Sequence, residues 1–305
     1  MNSYERMVSM AEMAPMIRDG RVEVPPIIET GIYSLDKALN GGIPRNKLAV
    51  FAARTSHGKT ATAVRLAVNM TMAGRRVHVI WCEDDELEFD LRALGALIHK
   101  PIPAMNAAYR SGRVDELWHG LDPVKREAWK RLTTHCYDGT TVDQVAQEIR
   151  EMPKGDIVII DHLGELDYGQ GPKFETMGQG LRLLRRVARE ARVGLICMTQ
   201  LNRDWDRRKS NSNDPDKVRP VLSDIENSGQ IEQVARICVI CERRHTKQGE
   251  DEVPTGEYIY HVWKPSVAVA RCRWDERTDT PDNYPSVVHK PYQETLIEPE
   301  RERYP

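Results

Sequence analysis

The stretch from Leu48 to Gly74 constrains the fold of this chain more than any other segment. It starts with the apolar run LAVFAA at 48–53, which predicts a buried strand, and continues into a helical pattern, TATAVRLAVNMTMAG, that Gly74 closes. The loop between them, ARTSHGKT at 53–60, fits the phosphate-binding pattern except that alanine replaces its first glycine. A strand, such a loop and a helix in this order predict a P-loop nucleoside triphosphatase.

The chemistry of this loop assigns a role to its polar residues. Backbone N–H groups and the N-terminus of the helix are expected to cradle the phosphates. Lys59 is placed to reach the β and γ oxygens, and the Thr60 hydroxyl to ligate Mg²⁺. We therefore expect ATP and Mg²⁺ as cofactors, although no residue specifies adenine. The other candidate nucleotide contacts are Arg54, Ser56, His57 and Gly58.

Apolar runs alternate with helical patterns over the rest of the chain, which predicts a mostly parallel sheet flanked by helices. Two late runs, GEYIYHVWK and SVAVARCRW, alternate around Pro265 like the strands of a hairpin. The clearest further helices are VDQVAQEIREM and the stretch from Phe174 to Ala191. The other candidate strands are VHVIWC at 77–82, DIVIID at 156–161, VGLICM near 194–198 and ARICVIC at 235–241.

Three of these strands lead into a polar residue at the carboxyl edge of the sheet, where open α/β folds bind ligands. Asp161 ends DIVIID, where its carboxylate can hold Mg²⁺ through water. Glu83 follows VHVIWC and is the candidate to activate the attacking water, although the acidic residues at 84–86 compete for that role. Gln200 ends VGLICMTQ, and its amide can bond the γ-phosphate and signal to the following loop. Each could instead be a polar residue in a solvated turn.

Charge and composition narrow the class of protein. Lys and Arg total 44 against 46 Asp and Glu, so no global basic field indicates nucleic acid and any DNA affinity must come from local loops. The six scattered cysteines predict buried thiols in a reducing cytoplasm. Glu5 and Glu12 interrupt the apolar residues at the start of the chain, so we expect neither a signal peptide nor a membrane anchor.

Two other patterns have an ordinary structural explanation. Cys238 and Cys241 have a metal-like spacing, but residues three apart on a strand point to opposite faces, and no second pair lies at finger distance. The run LRLLRRVARE between Gly180 and Glu190 is basic and helical. We expect its leucines to face a core and its arginines to face water.

The segments outside the sheet are more variable in composition. Four methionines between Met7 and Met16 predict a short amphipathic helix, which packs either on its own core or on a neighbouring subunit. The stretch 202–223 is irregular and too long for an ordinary connector, and Pro, Asp, Glu and Arg predict a loosely ordered tail after Asp275. We therefore expect an arm and linker at 1–27, an ATPase domain at 28–274 and a tail at 275–305.

Five motifs between Thr30 and Trp274 carry a family resemblance. TGIYSLDKALNGGIPRNKLAVFAARTSHGKTATAVRLA looks like the entry to the ATPase domain of DnaB-type replicative helicases, in which alanine likewise often opens the P-loop. WCED resembles the strand that carries that family's catalytic glutamate, and IVIIDHLGEL its Walker B strand. TQLNRDWDRR resembles its third motif, and RPVLSDIENSGQIEQVARICVICERR the loop and strand that follow. The ordered set is more specific than any single motif.

The resemblance implies a RecA-like core in a ring, usually of six subunits, with ATP bound between neighbours and single-stranded DNA held by loops in the channel. By position, Lys59 and Thr60 would bind nucleotide and Mg²⁺, with Asp161 supporting the metal. Glu83 would be the catalytic base and Gln200 would couple hydrolysis to DNA. The expected location is the cytoplasm, that of a bacterial host if the chain is phage-encoded. Candidate DNA contacts are Arg203, Arg207, Arg208, Lys209, Asn227 and Gly229.

Three departures from the family pattern affect these expectations. The amino-terminal domain of full-length bacterial members is missing, so we expect a compact, phage-like version for which a primase or loader is only a candidate partner. Glu226 stands where a basic residue is expected and would repel phosphate, so DNA contact there would have to use backbone N–H groups. Lys264, Pro265 and Ser266 meet the family's lysine, spacer, arginine finger pattern without an arginine.

An arginine finger contributes roughly 10³ to 10⁵ in rate, so its loss needs a substitute if the chain hydrolyses ATP. Lys264 is the first candidate and Arg243 the second, followed by Arg271 and Arg273. Two alternatives to a helicase motor stay open at this point. One is a RadA-like or KaiC-like ATPase without unwinding activity, and the other is a ring or adaptor that uses ATP only to assemble.

Overall fold

A nine-stranded sheet forms the centre of the protein. The computed structural model describes residues 18–19, 26–82, 87–137, 139–212, 218–248, 251–264, 267–275 and 278–282. Within these residues the strand order is β11-β10-β9-β8-β3-β7-β6-β4-β5, and β1 and β2 form a separate pair. The strands are β1 (Ile27–Ile28), β2 (Ile43–Pro44), β3 (Leu48–Ala53), β4 (Val77–Trp81), β5 (Leu132–Cys136), β6 (Ile157–Asp161), β7 (Gly194–Gln200), β8 (Ile237–Gln248), β9 (Asp251–Lys264), β10 (Ala268–Asp275) and β11 (Thr280–Asp282).

The sheet is parallel from β5 to β8 and antiparallel beyond it. Strand β3 lies between β7 and β8 and is parallel to both, whereas β8, β9, β10 and β11 pair in antiparallel fashion. The predicted mostly parallel sheet and C-terminal hairpin are confirmed. The ARICVIC strand is longer than predicted, because β8 continues to Gln248 and forms a second hairpin with β9.

Helices cover both faces of this sheet. The helices are α1 (Tyr33–Ala38), α2 (Lys59–Met72), α3 (Glu88–Ile98), α4 (Ile102–Arg110), α5 (Val114–His119), α6 (Pro123–Trp129), α7 (Val142–Glu151), α8 (Lys173–Ala191), α9 (Asp204–Ser210) and α10 (Ser228–Val234). Buried residues of α2 and α3 join one core cluster, and those of α7, α8 and α10 join the cluster on the other face. In the described part of the chain, no helix combines the length and the apolar character needed to cross a bilayer.

The two cysteines with metal-like spacing confirm the strand argument. Cys241 belongs to the cluster on the α2 face, and Cys238 to the cluster on the α8 face. Among the described residues, no group of three or more His, Cys, Asp or Glu side chains is arranged to hold a metal ion. Both thiols are buried and unpaired with another cysteine. They act as small core residues.

Two expectations are corrected by the structure. The stretch 202–223 is not irregular throughout, because it contains α9, which is anchored by the fully buried Trp205. The expected loose tail is ordered at 278–282, where Arg65 donates from Nε to the Pro281 carbonyl at 2.7 Å and from Nη2 to Thr280 at 2.6 Å. The predicted methionine helix at 7–16 lies outside the described residues.

Two adjacent glycines offer a test of the β1–β2 pairing. Gly42 has a φ of 128°, and a Cβ there would lie 2.4 Å from the Ile28 carbonyl oxygen. Gly41 has a φ of 108°, but a Cβ there would meet only a methyl group of Ile27 at 4.0 Å. We expect Gly42→Ala to lower the free energy of unfolding by about 3 kcal/mol or more, because backbone strain adds to a collision with backbone.

The matched variant, Gly41→Ala, carries the strain without the collision and should cost about 1 to 2 kcal/mol. Urea unfolding of both variants provides the comparison. Equal losses for the two variants would show that the close approach of Gly42 to β1 contributes nothing.

Candidate nucleotide site

The strand register brings the predicted site residues to one edge of the sheet. Ala53, the last residue of β3, lies opposite Gln200 on β7 and Cys241 on β8. Asp161, the last residue of β6, lies opposite Trp81 on β4. The phosphate-binding loop, Asp161 and Gln200 therefore share the carboxyl edge of the parallel strands.

Lys59 and Asp161 form the centre of this edge. The Lys59 Nζ lies 3.0 Å from an Asp161 carboxylate oxygen, and the two side chains are 11% and 0% exposed. Apart from this ion pair, neither oxygen of Asp161 receives a hydrogen bond from the described residues. A buried carboxylate with free lone pairs, near the helix start that carries the Thr60 hydroxyl, fits the oxygen ligands that Mg²⁺ prefers.

The loop is held in its conformation by two aromatic residues from the antiparallel strands. Gly58 has a φ of 83°, and a Cβ there would lie 2.7 Å from the Trp274 ring. The Tyr258 hydroxyl lies 3.0 Å from the His57 carbonyl oxygen and 3.1 Å from that of Gly58, so it can donate to either. Sequence reasoning missed both aromatic residues, because alternation in β9 and β10 indicates which side chains are buried but not what they touch.

The loop also contacts helix α9, which lies in the connector where DNA contacts were predicted. Arg54 donates to the Leu201 carbonyl at 3.0 Å and pairs with the Asp206 carboxylate at 2.8 Å. The His57 ring packs edge-on against Trp205, with ring centroids 5.6 Å apart. Two of the predicted nucleotide residues therefore connect the loop to the segment after β7.

Burial lowers the pKa of His57 to about 4, and the nearby charges of His245 and Lys209 add to the shift. The unfolded chain, with an ordinary histidine pKa near 6.5, then binds the proton more readily than the folded protein. This contribution to stability is complete above pH 6.5 and is lost as the pH falls toward 4.

We expect the wild type to lose up to about 2 kcal/mol more stability between pH 7 and pH 5 than the variant His57→Met, which cannot titrate there. Urea unfolding at a series of pH values measures both proteins, and every other titrating group is common to them. Identical pH dependence would mean that His57 is accessible to protons in the folded state.

Gln200 and the region of Glu83 lie beside Asp161. The Gln200 amide nitrogen is 3.3 Å from Nε2 of His162, the residue after Asp161. The Cys82 backbone N–H donates to the Asp161 carbonyl at 3.0 Å, so β4 ends next to the Lys59 ion pair. Glu83 itself lies outside the described residues, and its role as the base stays a prediction.

The four basic DNA candidates on and beside α9 fall into two groups. Arg208 is ion-paired with the buried carboxylate of Asp224. Lys209 lies 3.4 Å from the buried Glu242 and 4.8 Å from the centroid of the Trp205 ring. These two side chains hold α9 in place. Arg203 and Arg207 are exposed, although Arg207 also pairs with Asp204 at 3.1 Å.

The second candidate DNA segment is attached to the end of β7. The Glu226 N–H donates to the Gln200 carbonyl at 2.9 Å, and the Glu226 side chain is exposed. Asn227 has a φ of 57° and precedes α10, in which Gly229 is half-buried. A change at Gln200 can thus reach this segment through a direct backbone hydrogen bond.

The two first candidates for the finger role lie at opposite edges of the sheet. Lys264 ends β9 opposite Cys238, near the start of β8, and its ammonium donates to the Glu232 carbonyl. Arg243 lies beyond the loop edge of β8 and stacks 4.2 Å over the Trp274 ring. The structure therefore places Arg243 beside the chain's own phosphate loop and keeps Lys264 away from it.

The remaining substitutes lie on β10. Arg271 pairs with Glu257 at 2.6 Å, and Arg273 is exposed. Neither residue is brought to the Lys59 ion pair by the strand register.

Comparison with known proteins agrees with this geometry. The model of the DnaB-like helicase C terminal domain matches residues 27–276. The replicative DNA helicase DnaB of Helicobacter pylori (strain ATCC 700392 / 26695) is 29% identical over 239 residues, which cover 76% of this chain and 46% of that protein. DnaC of Bacillus subtilis (strain 168), also a replicative DNA helicase, is 31% identical over 220 residues, covering 69% of this chain and 46% of the relative. The chain thus spans about half the length of these curated relatives.

Two solved structures share the fold. A DnaB-like replicative helicase, solved for its interactions with primase, has a TM-score of 0.72 at 24% identity, over 92% of this chain and 68% of that one. The second structure is a separate ATPase domain, with a TM-score of 0.70 at 22% identity, over 91% of this chain and 99% of that one. With a family match that spans most of its length, the chain belongs to the family of DnaB-like helicase C-terminal domains.

Proposed function

We propose that this chain is the ATP-hydrolysing motor of a replicative DNA helicase, which assembles as a ring, translocates on single-stranded DNA and unwinds duplex. The observation that carries the proposal is the buried Lys59–Asp161 pair at the carboxyl edge, with Gln200 beside it. Relatives named replicative DNA helicases support it. We also propose a hexamer in a bacterial cytoplasm, with the domain boundaries given above and a primase or loader as a candidate partner.

The mechanism follows from what these side chains can do when nucleotide arrives. Phosphate oxygens would draw the Lys59 ammonium away from Asp161, so that the carboxylate is free to hold Mg²⁺ through water, with Thr60 as a direct ligand. When bound, Mg²⁺ neutralises charge that develops on the phosphates. The backbone of residues 54–59 supplies N–H donors, and Glu83 would take the proton of the attacking water.

Hydrolysis at a boundary between subunits would place Lys264 at the neighbour's nucleotide. Opposite sides of a subunit meet in a head-to-tail ring, and Lys264 lies at the sheet edge opposite the phosphate loop. Arg243 stacks beside its own loop, so we propose that it acts in the same subunit. Lys264 therefore takes the first place among candidates for the missing finger.

The Arg54–Asp206 ion pair offers a route from nucleotide to DNA. Asp206 lies on α9, between the exposed Arg203 and Arg207, and Arg54 lies in the phosphate loop. We expect Asp206→Asn to reduce the stimulation of ATP hydrolysis by DNA about 5- to 10-fold while leaving the DNA-free rate within about twofold, as for a coupling free energy of 1 to 1.4 kcal/mol. Rates with and without single-stranded DNA measure this ratio.

Asp204→Asn removes a neighbouring carboxylate that pairs only on the helix surface, and it serves as the matched control. If both variants retained wild-type stimulation, coupling would not pass through this ion pair.

The proposal as a whole is tested by steady-state ATP hydrolysis of the purified chain with and without single-stranded DNA, at low and moderate salt. Strong stimulation by DNA together with unwinding of a forked duplex supports the motor. Stimulation without unwinding would indicate a RadA-like or KaiC-like ATPase. Negligible hydrolysis in both conditions, with an oligomeric mass that still depends on nucleotide, would indicate a nucleotide-gated ring.

A further inference from the structure

An arginine-rich pocket lies at the edge of the sheet opposite the nucleotide site. Its volume is ≈ 610 Å³, and it is bordered by α8, the turn before β3 and the residue before β8. No Asp or Glu is among its lining residues, although the whole chain has a net charge of -2. We call it the arginine pocket, and its cations are Lys47, Arg182, Arg185, Arg186, Arg189 and Arg236.

The positive charge of this pocket is not neutralised by the part of the chain that the structure describes. Arg182 donates to the side-chain oxygens of Gln230 and Gln233 at 3.3 and 3.2 Å, and Arg185 donates to the Val234 carbonyl at 3.2 Å. These acceptors are neutral, so they orient the guanidinium groups without cancelling their charge. Four of the lining cations, Lys47, Arg186, Arg189 and Arg236, have no carboxylate partner among the described residues.

The spacing of the arginines on α8 indicates the kind of anion. Arg182, Arg186 and Arg189 follow one face of the helix, since residues three and four apart are neighbours there. Like charges at these spacings destabilise a helix, so the row has no local benefit. It extends for roughly 10 Å at 1.5 Å per residue, which exceeds one phosphate group and suits several phosphates in a line.

We propose that the arginine pocket binds the phosphate backbone of a nucleic-acid strand, as a second site separate from the loops after β7. This inference rests on the proposed function, because unwinding creates two strands. The candidate channel contacts at 203–209 and 227–229 lie beyond the carboxyl edge of the sheet, whereas Lys47 and Arg236 precede β3 and β8 at the other edge. The pocket therefore holds the strand that those loops do not hold.

The first test is the salt dependence of binding to single-stranded DNA, measured by fluorescence anisotropy. Each phosphate contact on a single strand contributes about 0.7 to the slope of log K against log salt concentration. The variant R182Q/R186Q/R189Q should therefore reduce the magnitude of the slope by about 2. The control K100Q/R110Q/R113Q makes the same change in net charge around α4, on the other face of the sheet, and should keep the wild-type slope.

A second variant protects the test against a folding defect. R186Q/R189Q removes only side chains that make no hydrogen bond with other described residues, and it should reduce the slope by about 1.4. On forked DNA, replacing the phosphates of one arm by uncharged methylphosphonates should weaken binding of wild type and variant equally. Neutralising the other arm should weaken binding of the wild type alone.

Wild-type slopes for both variants would overturn the proposal. A lower DNA-free ATPase rate or a lower oligomeric mass of the arginine variants, with the control unchanged, would overturn it too, since the pocket would then contact another subunit or its nucleotide. If the wild type itself neither hydrolysed ATP nor bound DNA, the proposed function would fail together with this inference. Failure of the inference alone leaves wild-type hydrolysis and DNA binding intact.

Discussion

Replacing Lys59 by alanine is expected to lower the rate of ATP hydrolysis by at least about 10²- to 10³-fold, as for loss of one preorganised group that stabilises transition-state charge. The Lys59 ammonium is 11% exposed and aims at the carboxylate beside which phosphates would bind. Its Nζ is therefore held at the reacting centre before nucleotide arrives. Steady-state hydrolysis with saturating ATP and Mg²⁺ measures the loss, with and without single-stranded DNA.

Lys130→Ala is the matched control for this prediction. Lys130 pairs with Glu127 at 2.7 Å on the surface, and both side chains are more than half exposed, so the same chemical change should leave the rate within about twofold. Wild-type hydrolysis by Lys59→Ala would mean that the phosphates bind elsewhere and that the site assignment is wrong.

The elements that could be predicted from the sequence are those with a strong local pattern. LAVFAA forms β3 over the predicted residues, and the helix that Gly74 was expected to close spans Lys59–Met72. A fully buried strand and a long amphipathic helix each carry their signal within a dozen residues. The short helices α4 to α6 and strand β5 were not predicted, since each offers too few turns or alternations to show a period.

Contacts that organise the site depend on distant parts of the chain and leave little trace in any local pattern. The Tyr258 hydroxyl reaches the carbonyl of His57, two hundred and one positions earlier in the chain. Trp205 gives α9 its buried anchor, yet a lone tryptophan in a polar stretch does not predict a helix.

The arginines of α8 show the same limit from the other side. Their neighbours Leu181 and Leu184 are buried, as expected, and Arg182, Arg186 and Arg189 are exposed. That pattern is typical of an ordinary surface helix. The pocket arises only because the parallel topology brings Lys47 and Arg236 to the same place.

The Lys59–Asp161 pair also predicts a stability effect that is separate from catalysis. Removing one partner of a buried ion pair leaves the other charge without compensation and costs about 3 to 5 kcal/mol. In the absence of nucleotide and Mg²⁺, we expect Lys59→Ala to destabilise the protein by about 3 kcal/mol, since Asp161 is fully buried. Asp161→Asn should cost less, because the Lys59 ammonium retains some contact with water.

The double variant K59A/D161N leaves no charge at this position, so its loss of stability should be smaller than the sum of the two single losses by about 1 to 3 kcal/mol. Urea unfolding of the wild type and the three variants completes the cycle. Additive losses would show that the ion pair does not stabilise the nucleotide-free protein. Hydrolysis should stay lost in the double variant, because restoring the charge balance of the apo site restores neither the phosphate-binding ammonium nor the carboxylate that supports Mg²⁺. A site that regains stability but not activity would separate the structural role of these two charges from their role in catalysis.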